Sequence, residues 1–228
     1  MAAEVRERLA PLAAPPLAGV VSPAGRGRFF NRNILFDRDG AVLGSYAKRH
    51  PVPFGEYVPL RRLLAGVGDV GRLVPSDLVR GQVPGLLEAN GLRLGTVSSW
   101  ELSLAREVRA AGRVGQAVVI LTNPASYERS AVSDQLLAMA QLRARQLRQA
   151  IAVAAITGRS AVVRPDGSVS AVTRLLAPDQ LSAVVQLRSG ATPYARAGDM
   201  PGRAHRRPCA GRLGDHEQTA AETAPGVR

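Results

Sequence analysis

The sequence has few aromatic residues, one cysteine, one lysine and no long apolar run, and two of these shortages each exclude a class of protein. Aromatic side chains make up 4% of the 228 residues, so alanine, valine and leucine must fill most of any core. Cys209 alone forms neither an intramolecular disulfide nor a cysteine-rich metal site. The longest apolar run is segment 150–156, whereas a membrane-spanning helix needs about 20 such residues. The sequence therefore predicts neither a disulfide framework nor a membrane span, and its start does not resemble a signal peptide.

The charge balance is strongly basic, with 30 basic against 18 acidic residues and a net charge of +12. The basic residues are dispersed along the chain and are not interleaved with aromatic side chains, as they are in many nucleic-acid-binding segments. We therefore expect no nucleic-acid partner. His205, Cys209 and His216 do not follow the spacing of a zinc site, so we expect no metal and no cofactor.

Lys48 is the only lysine among the 30 basic residues. Because arginine occupies all the other basic positions, the lysine at this one indicates a need for a compact ammonium group, such as a reacting centre requires. Lys48 lies in the segment YAKRHPVPFGEYVPL (46–60), whose three prolines predict an irregular, ordered loop. A solvent-exposed loop lysine is the structural alternative.

Apolar periodicity predicts alternating strands and helices. Strands are predicted at 17–21, 30–36, 41–46, 92–98, 117–122, 151–156, 160–164, 168–172 and 182–187. Helices are predicted at 1–16, 101–111 and 131–149, with Ser99 at or near the N-cap of the second, and 60–87 is predicted as a loop with at most short helices. This order, with its hairpin signals, predicts an α/β fold with a mixed sheet covered by helices.

Several motifs together resemble those of a known family. They are the segment 46–60, VSSWE (97–101), LTN (121–123), MAQLRAR (139–145), ITGRSAV (156–162) and TPYAR (192–196). In this order they resemble the carbon–nitrogen hydrolase (nitrilase-like) domain of the apolipoprotein N-acyltransferase family. The resemblance implies a nitrilase-like α-β-β-α sandwich over residues 1–199, truncated at its N-terminal side, followed by a polar disordered tail over 200–228.

The resemblance also implies a site for acyl transfer from a phospholipid to the N-terminal amine of a lipoprotein. Lys48 matches the lysine that stabilises the tetrahedral intermediate, and Glu56 matches a supporting glutamate of the same loop. Ser99 stands where the family has its nucleophilic cysteine, and Glu101 matches the glutamate two residues later. The alternatives remain open: Ser99 as a helix cap, and Glu56 and Glu101 as ion-pair partners of nearby arginines.

Two further departures from the family pattern concern the base and the membrane helices. The only carboxylates before residue 30 are Glu4 and Glu7, which do not match the strand-end Pro-Glu pattern of the family's general base. We therefore expect the chain alone to be inactive and cytoplasmic or peripheral, although the family acts at the outer face of the cytoplasmic membrane. A second polypeptide carrying the membrane helices and the missing glutamate is the expected partner. A non-catalytic remnant or binding module and a soluble nitrilase-type amidase are the alternative functions.

Overall fold

The computed structural model describes residues 14–64, 74–127 and 129–198, and within them two β-sheets stack face to face. The first sheet has the strand order β1-β2-β3. Its strands are β1 (Leu17–Gly25), β2 (Arg28–Phe36), β3 (Val42–Ala47) and the short β4 (Asp77–Leu78), which pairs in parallel with the start of β2. β1, β2 and β3 form an antiparallel meander, as the apolar segments separated by turn residues predict.

The second sheet has the order β10-β9-β8-β7-β6-β5. Its strands are β5 (Gly85–Ala89), β6 (Leu92–Ser98), β7 (Ala117–Thr122), β8 (Ile151–Ala155), β9 (Ala161–Val163) and β10 (Val169–Val172). β6, β7 and β8 are parallel neighbours, whereas the outer strands pair antiparallel. The parallel strands therefore end at one edge, which is where sheets of this type place functional side chains.

The helices are α1 (Arg61–Leu64), α2 (Ala105–Val114), α3 (Val132–Leu147) and α4 (Pro193–Ala197). α2, α3 and α4 cover the outer face of the second sheet, whereas α1 lies beside β4, where Arg61 pairs with Asp77. The core between sheet and helices is built from small and branched side chains, such as Val108, Ala140 and Ile151, each fully buried. This composition follows from the scarcity of aromatic residues, which leaves small and branched side chains to fill the core at the usual packing density.

The two sheets are stacked strand over strand. A β-carbon on Gly44 in β3 would lie 3.3 Å from Leu87 in β5, and the Asn33 amide in β2 donates to Thr96 Oγ1 in β6 over 2.7 Å. One step further along, a β-carbon on Gly19 in β1 would lie 3.8 Å from Leu121 in β7. Two glycines, which have no side chain, and one asparagine, whose amide forms a hydrogen bond, therefore set the distance between the two sheets.

Most of the predicted elements agree with the structure, but β4 lies wholly within the predicted loop 60–87 and α4 was not predicted. Strands β6 and β7 have the predicted bounds. The predicted strand 182–187 is wrong, because Val184 is 99% exposed and no sheet neighbour pairs with this segment among the described residues. β5 falls partly within the predicted loop 60–87. The predicted helix 101–111 is confirmed from Ala105 onward as part of α2, whereas its first turn belongs to a 3₁₀ helix, Ser99–Ser103. The predicted tail 200–228 and most of the predicted helix 1–16 lie outside the described residues.

Candidate functional site

Lys48 follows the last residue of β3 and is 1% exposed, so the exposed-loop alternative for this residue is wrong. Its ammonium group donates to both carboxylate oxygens of Glu56, over 2.8 and 2.7 Å. Glu56 also accepts from the Val52 backbone amide over 2.8 Å, and the Glu56 amide donates back to the Val52 carbonyl over 2.8 Å. The proline-rich loop therefore closes on itself around one buried ion pair.

Glu101 is fully buried behind this loop and accepts four hydrogen bonds. The donors are the Tyr46 hydroxyl (2.8 Å) and the backbone amides of Ser98 (2.8 Å), Arg49 (2.8 Å) and His50 (2.9 Å). The predicted alternative, an ion pair with a nearby arginine side chain, is not what these contacts show. Glu101 instead ties the end of β6 to the loop that carries Lys48.

The Glu101 carboxylate also affects the phenol that it contacts. Burial, together with the neighbouring negative charge of Glu101, raises the pKa of Tyr46 well above its usual range. Tyr46 is therefore a neutral hydrogen-bond donor to Glu101 near neutral pH.

Ser99 lies at the junction between β6 and the 3₁₀ helix, with a positive φ of 53°. The left-handed region is unfavourable for a residue with a β-carbon, and such strain concentrates at functional positions. The helix-cap prediction for Ser99 is wrong, because Ser98 is the extended cap residue. The Ser99 hydroxyl is half-buried and accepts a hydrogen bond from Thr122 Oγ1 over 3.3 Å.

A pocket of about 580 Å³ opens beside Ser99, between β1 and β2 on one side and the carboxyl ends of β6, β7 and β8 on the other. Its polar lining is formed by Asn31, Asn33, Glu56, Ser98, Ser99, Thr122, Asn123 and Ser160. The structure therefore brings Glu56 and Ser99 to one pocket, while Lys48 and Glu101 lie behind its lining. Among the lining residues that the structure describes, Glu56 is the only carboxylate, and Lys48 already engages it.

Asn31 and Asn33 are pocket residues that the sequence analysis did not select. Asn33 is fully buried and donates to Thr96 Oγ1 and to the Val97 carbonyl, whereas Asn31 approaches Glu56 at 3.5 Å. Asn31 and Asn33, at alternate positions of the strand FFNRNILF (29–36), which is apolar apart from them and Arg32, share one face. That pattern was a usable signal, since buried polar side chains need partners.

A second polar cluster supports the other end of the loop. Glu107, which is 3% exposed, lies 2.9 Å from His50 Nε2 and 2.6 Å from the Arg49 guanidinium. The Trp100 indole donates to the His50 carbonyl over 2.8 Å. His50 thus packs and hydrogen-bonds at this end of the loop and is not among the residues that line the pocket.

The chain is similar in sequence to known proteins of one family. The sequence model of the carbon–nitrogen hydrolase family matches residues 9–191. The apolipoprotein N-acyltransferase of Methylococcus capsulatus is 33% identical over 187 residues, which are 81% of this chain and 36% of that protein. The protein of the same name from Mycolicibacterium smegmatis is 33% identical over 151 residues, covering 64% of this chain and 24% of that protein. The chain spans about a third of the length of the curated relatives first matched.

Among solved structures, an amidase from Nesterenkonia sp. has a TM-score of 0.61 at 23% identity, covering 89% of this chain and 72% of that chain. This likeness establishes the nitrilase-like fold predicted from the sequence. In the described ranges, no helix is both long and apolar enough to cross a bilayer. Nor do three or more His, Cys, Asp or Glu side chains converge on a metal position within those ranges.

Proposed function

Because the chain belongs to the carbon–nitrogen hydrolase family, we propose that it is an acyl-transfer domain related to apolipoprotein N-acyltransferases, with Ser99 at the nucleophile position. One observation carries this proposal: the only lysine of the chain is buried and clamped by Glu56, which lines the same pocket as strained Ser99. A buried ammonium and an activated nucleophile are the groups that acyl transfer requires.

In the proposed reaction, the Ser99 hydroxyl oxygen attacks the ester carbonyl carbon of a phospholipid. The serine proton passes to a carboxylate base and then to the glycerol oxygen, which leaves as its bond to the carbonyl carbon breaks. The lipoprotein amine next attacks the Ser99 ester, loses a proton through the same base, and releases Ser99 as a hydroxyl. Lys48 supplies positive charge for the oxyanion that forms in each step.

The base is proposed to come from a second polypeptide that also carries membrane helices. Glu56 is the only carboxylate among the described lining residues, and its two oxygens are held by Lys48. Without a base, the rate of such a step falls by about 10²–10⁴-fold. We therefore expect the purified chain to transfer no acyl group to a lipopeptide, and to co-purify from membranes with the polypeptide encoded immediately upstream. A chain that is recovered from membranes without that polypeptide would refute the two-chain proposal.

The reactivity of the pocket itself can be tested without a partner. In a Cys209→Ser background, Ser99→Cys introduces a thiol at the proposed nucleophile, and Ser103→Cys places a thiol in the same 3₁₀ helix as a matched control. Incubation with p-nitrophenyl acetate and mass spectrometry measure acylation. We expect Ser99→Cys to acylate at least about tenfold faster, because thiolate formation and the oxyanion are both favoured near Lys48.

A non-catalytic remnant is the second candidate, and the pocket lining favours it, because Glu56, the only carboxylate among the described lining residues, is already engaged by Lys48. Equal acylation of Ser99→Cys and Ser103→Cys would support this candidate. Hydrolysis of acetamide by the unmodified chain, abolished by Lys48→Ala with the fold retained, would instead support an amidase.

A further inference from the structure

Arg143 lies in the segment MAQLRAR (139–145) of α3, to which the proposed function assigns no role. Its guanidinium group reaches from α3 to the end of the 3₁₀ helix. It donates to the Ser103 carbonyl over 2.8 Å and to the Leu102 carbonyl over 3.3 Å. The third nitrogen donates to the side-chain carbonyl of Gln146 over 2.8 Å, which fixes the plane of the guanidinium. All three nitrogens of this side chain are therefore engaged.

The last four carbonyl groups of the 3₁₀ helix have identified partners, although a helix end leaves such groups without partners inside the helix. The Trp100 carbonyl accepts from the Ser103 hydroxyl over 2.8 Å, and the Glu101 carbonyl accepts from the Leu104 amide over 2.9 Å. The last two carbonyls accept from Arg143. Arg143 therefore ties the end of this helix to α3.

The 3₁₀ helix is anchored at both ends by charged side chains. At its start, the Glu101 carboxylate accepts from the Ser98 amide over 2.8 Å and from the amides of the two residues that follow Lys48. At its end, the Arg143 guanidinium binds the two terminal carbonyls. Ser99 lies in the first turn, where its positive φ of 53° persists only while surrounding contacts impose it. Loss of either anchor should therefore let residue 99 move relative to Lys48.

We propose that Arg143 is a positioning residue, which holds the end of the 3₁₀ helix so that the Ser99 hydroxyl stays at a fixed distance from the Lys48 ammonium group. The part of this proposal that concerns acyl transfer rests on the function proposed above, whereas the part that concerns the helix does not. Arginine suits the role because its planar guanidinium presents several donors in a fixed arrangement, so that one side chain serves two carbonyls. Lysine keeps the charge but has a single nitrogen, and glutamine has a shorter side chain without charge.

Trp100 reports the position of the 3₁₀ helix without a label, because it is the only tryptophan of the chain and follows Ser99 directly. Its indole donates to the His50 carbonyl over 2.8 Å, which protects the indole proton while the helix stays in place. In Arg143→Gln, we expect this proton to exchange with solvent about tenfold faster, because two charge-assisted hydrogen bonds are lost. NMR on the full chain measures the exchange.

Two controls separate a local effect from a loss of overall stability. The Ile120 amide lies in the centre of buried strand β7 and exchanges when the whole fold opens, so it should change less than the Trp100 indole. Arg145→Gln is the matched variant in the same helix, since Arg145 is exposed and donates to the Asp166 carbonyl, between β9 and β10. It should leave the exchange of the indole unchanged. An unchanged indole in Arg143→Gln, or equal changes at both protons, would overturn the proposal.

Two reagents measure the position of residue 99 relative to Lys48, in the Ser99→Cys variant of the Cys209→Ser background. Acylation by p-nitrophenyl acetate passes through an oxyanion that Lys48 stabilises, whereas alkylation by iodoacetamide passes through none. Both reactions need the thiolate, so the ratio of their rate constants isolates the contribution of the oxyanion. We expect Arg143→Gln to lower this ratio by about tenfold, Arg143→Lys to restore part of it, and Arg145→Gln to leave it unchanged.

The two measurements decide different parts of the proposal. Faster indole exchange with an unchanged ratio would refute the positioning of Ser99 and confine Arg143 to support of the helix. If Ser99→Cys acylates no faster than Ser103→Cys, the function proposed above fails, and the indole exchange alone decides whether Arg143 holds the helix. If Arg143→Gln does not fold, Arg143→Lys replaces it in both measurements, with an expected change of about threefold.

Discussion

At the scale of single residues, the loop 46–60 depends on two carboxylates with different tasks, the half-buried Glu56 and the buried Glu101. Glu56 neutralises Lys48, whose burial would otherwise cost several kcal/mol. Glu101 carries no partner charge in direct contact and is stabilised by four donors instead. Each carboxylate accepts hydrogen bonds from the loop, so both groups hold the loop in one conformation.

Replacing Glu56 by glutamine tests the ion pair. Glu56→Gln leaves the Lys48 ammonium buried beside a neutral amide, and we expect the free energy of unfolding to fall by about 3 kcal/mol. Urea denaturation measures this change. Glu88→Gln is the matched control, because Glu88 is 60% exposed and its pair with Arg93 lies in water, so we expect a change within about 0.5 kcal/mol. Equal effects of the two variants would mean that Lys48 remains hydrated.

Tyr46 should make the free energy of unfolding depend on pH in the alkaline range. Because the pKa of Tyr46 is raised by burial beside Glu101, the folded chain keeps the phenol proton that the unfolded chain loses near pH 10. Ionisation then favours the unfolded state, so the stabilisation is complete below about pH 10 and falls above it by about 1.4 kcal/mol per pH unit. Comparing urea denaturation of the unmodified chain and Tyr46→Phe between pH 7 and 11 isolates this group. Parallel curves for the two proteins would contradict the assignment.

At the scale of elements, the junction after β6 combines a strained residue with a tight helical turn. The Ser98 amide donates to the Glu101 carboxylate over 2.8 Å, which draws the chain into the 3₁₀ helix and delays α2 until Ala105. The same turn holds Ser99 at positive φ, with its hydroxyl towards Thr122. Strain of this kind persists only when the surrounding hydrogen bonds impose it.

Glycine at this position should relieve the strain. We expect Ser99→Gly to have a free energy of unfolding about 1 kcal/mol higher than Ser99→Ala, since both variants lose the hydrogen bond to Thr122 but only glycine adopts positive φ without a β-carbon clash. Ser99→Ala keeps the clash and loses the hydrogen bond to Thr122, so it should lower stability by about 0.5–1 kcal/mol. Thermal and urea unfolding of both variants measure the difference. Indistinguishable variants would show that the backbone at this junction is relaxed.

Local pattern predicted most elements, and tertiary contacts account for the misses. β6 and β7 are apolar and bounded by turn residues, so their limits could be predicted. The hairpin of β5 and β6 turns at Asn90 and Gly91, both at positive φ, and this Asn-Gly signal was present in the sequence. The 3₁₀ helix at Ser99 could not be predicted, because it depends on a carboxylate that also binds a loop 50 residues earlier.

At the scale of the whole molecule, the site exists only where the two sheets meet. Sequence motifs identified Lys48, Glu56, Ser99 and Glu101, but which of them line the pocket follows from the stacking of β1 and β2 over β6 and β7. Asn33 joins the layers by hydrogen bonds to Thr96 and Val97, residues more than 60 positions away. Contacts between residues so far apart in the sequence leave no local sequence pattern, so the lining of the pocket could not be predicted from the sequence.

The burial of the only lysine has a practical consequence for handling the protein. N-hydroxysuccinimide esters react with free primary amines, and the folded chain offers just its α-amino group, because Lys48 is 1% exposed and ion-paired. We expect mass spectrometry to find one adduct on native molecules and two after denaturation in urea. Biotin or dye coupled in this way would be attached at a single defined point. The fraction of molecules with a second adduct would measure the fraction that has unfolded.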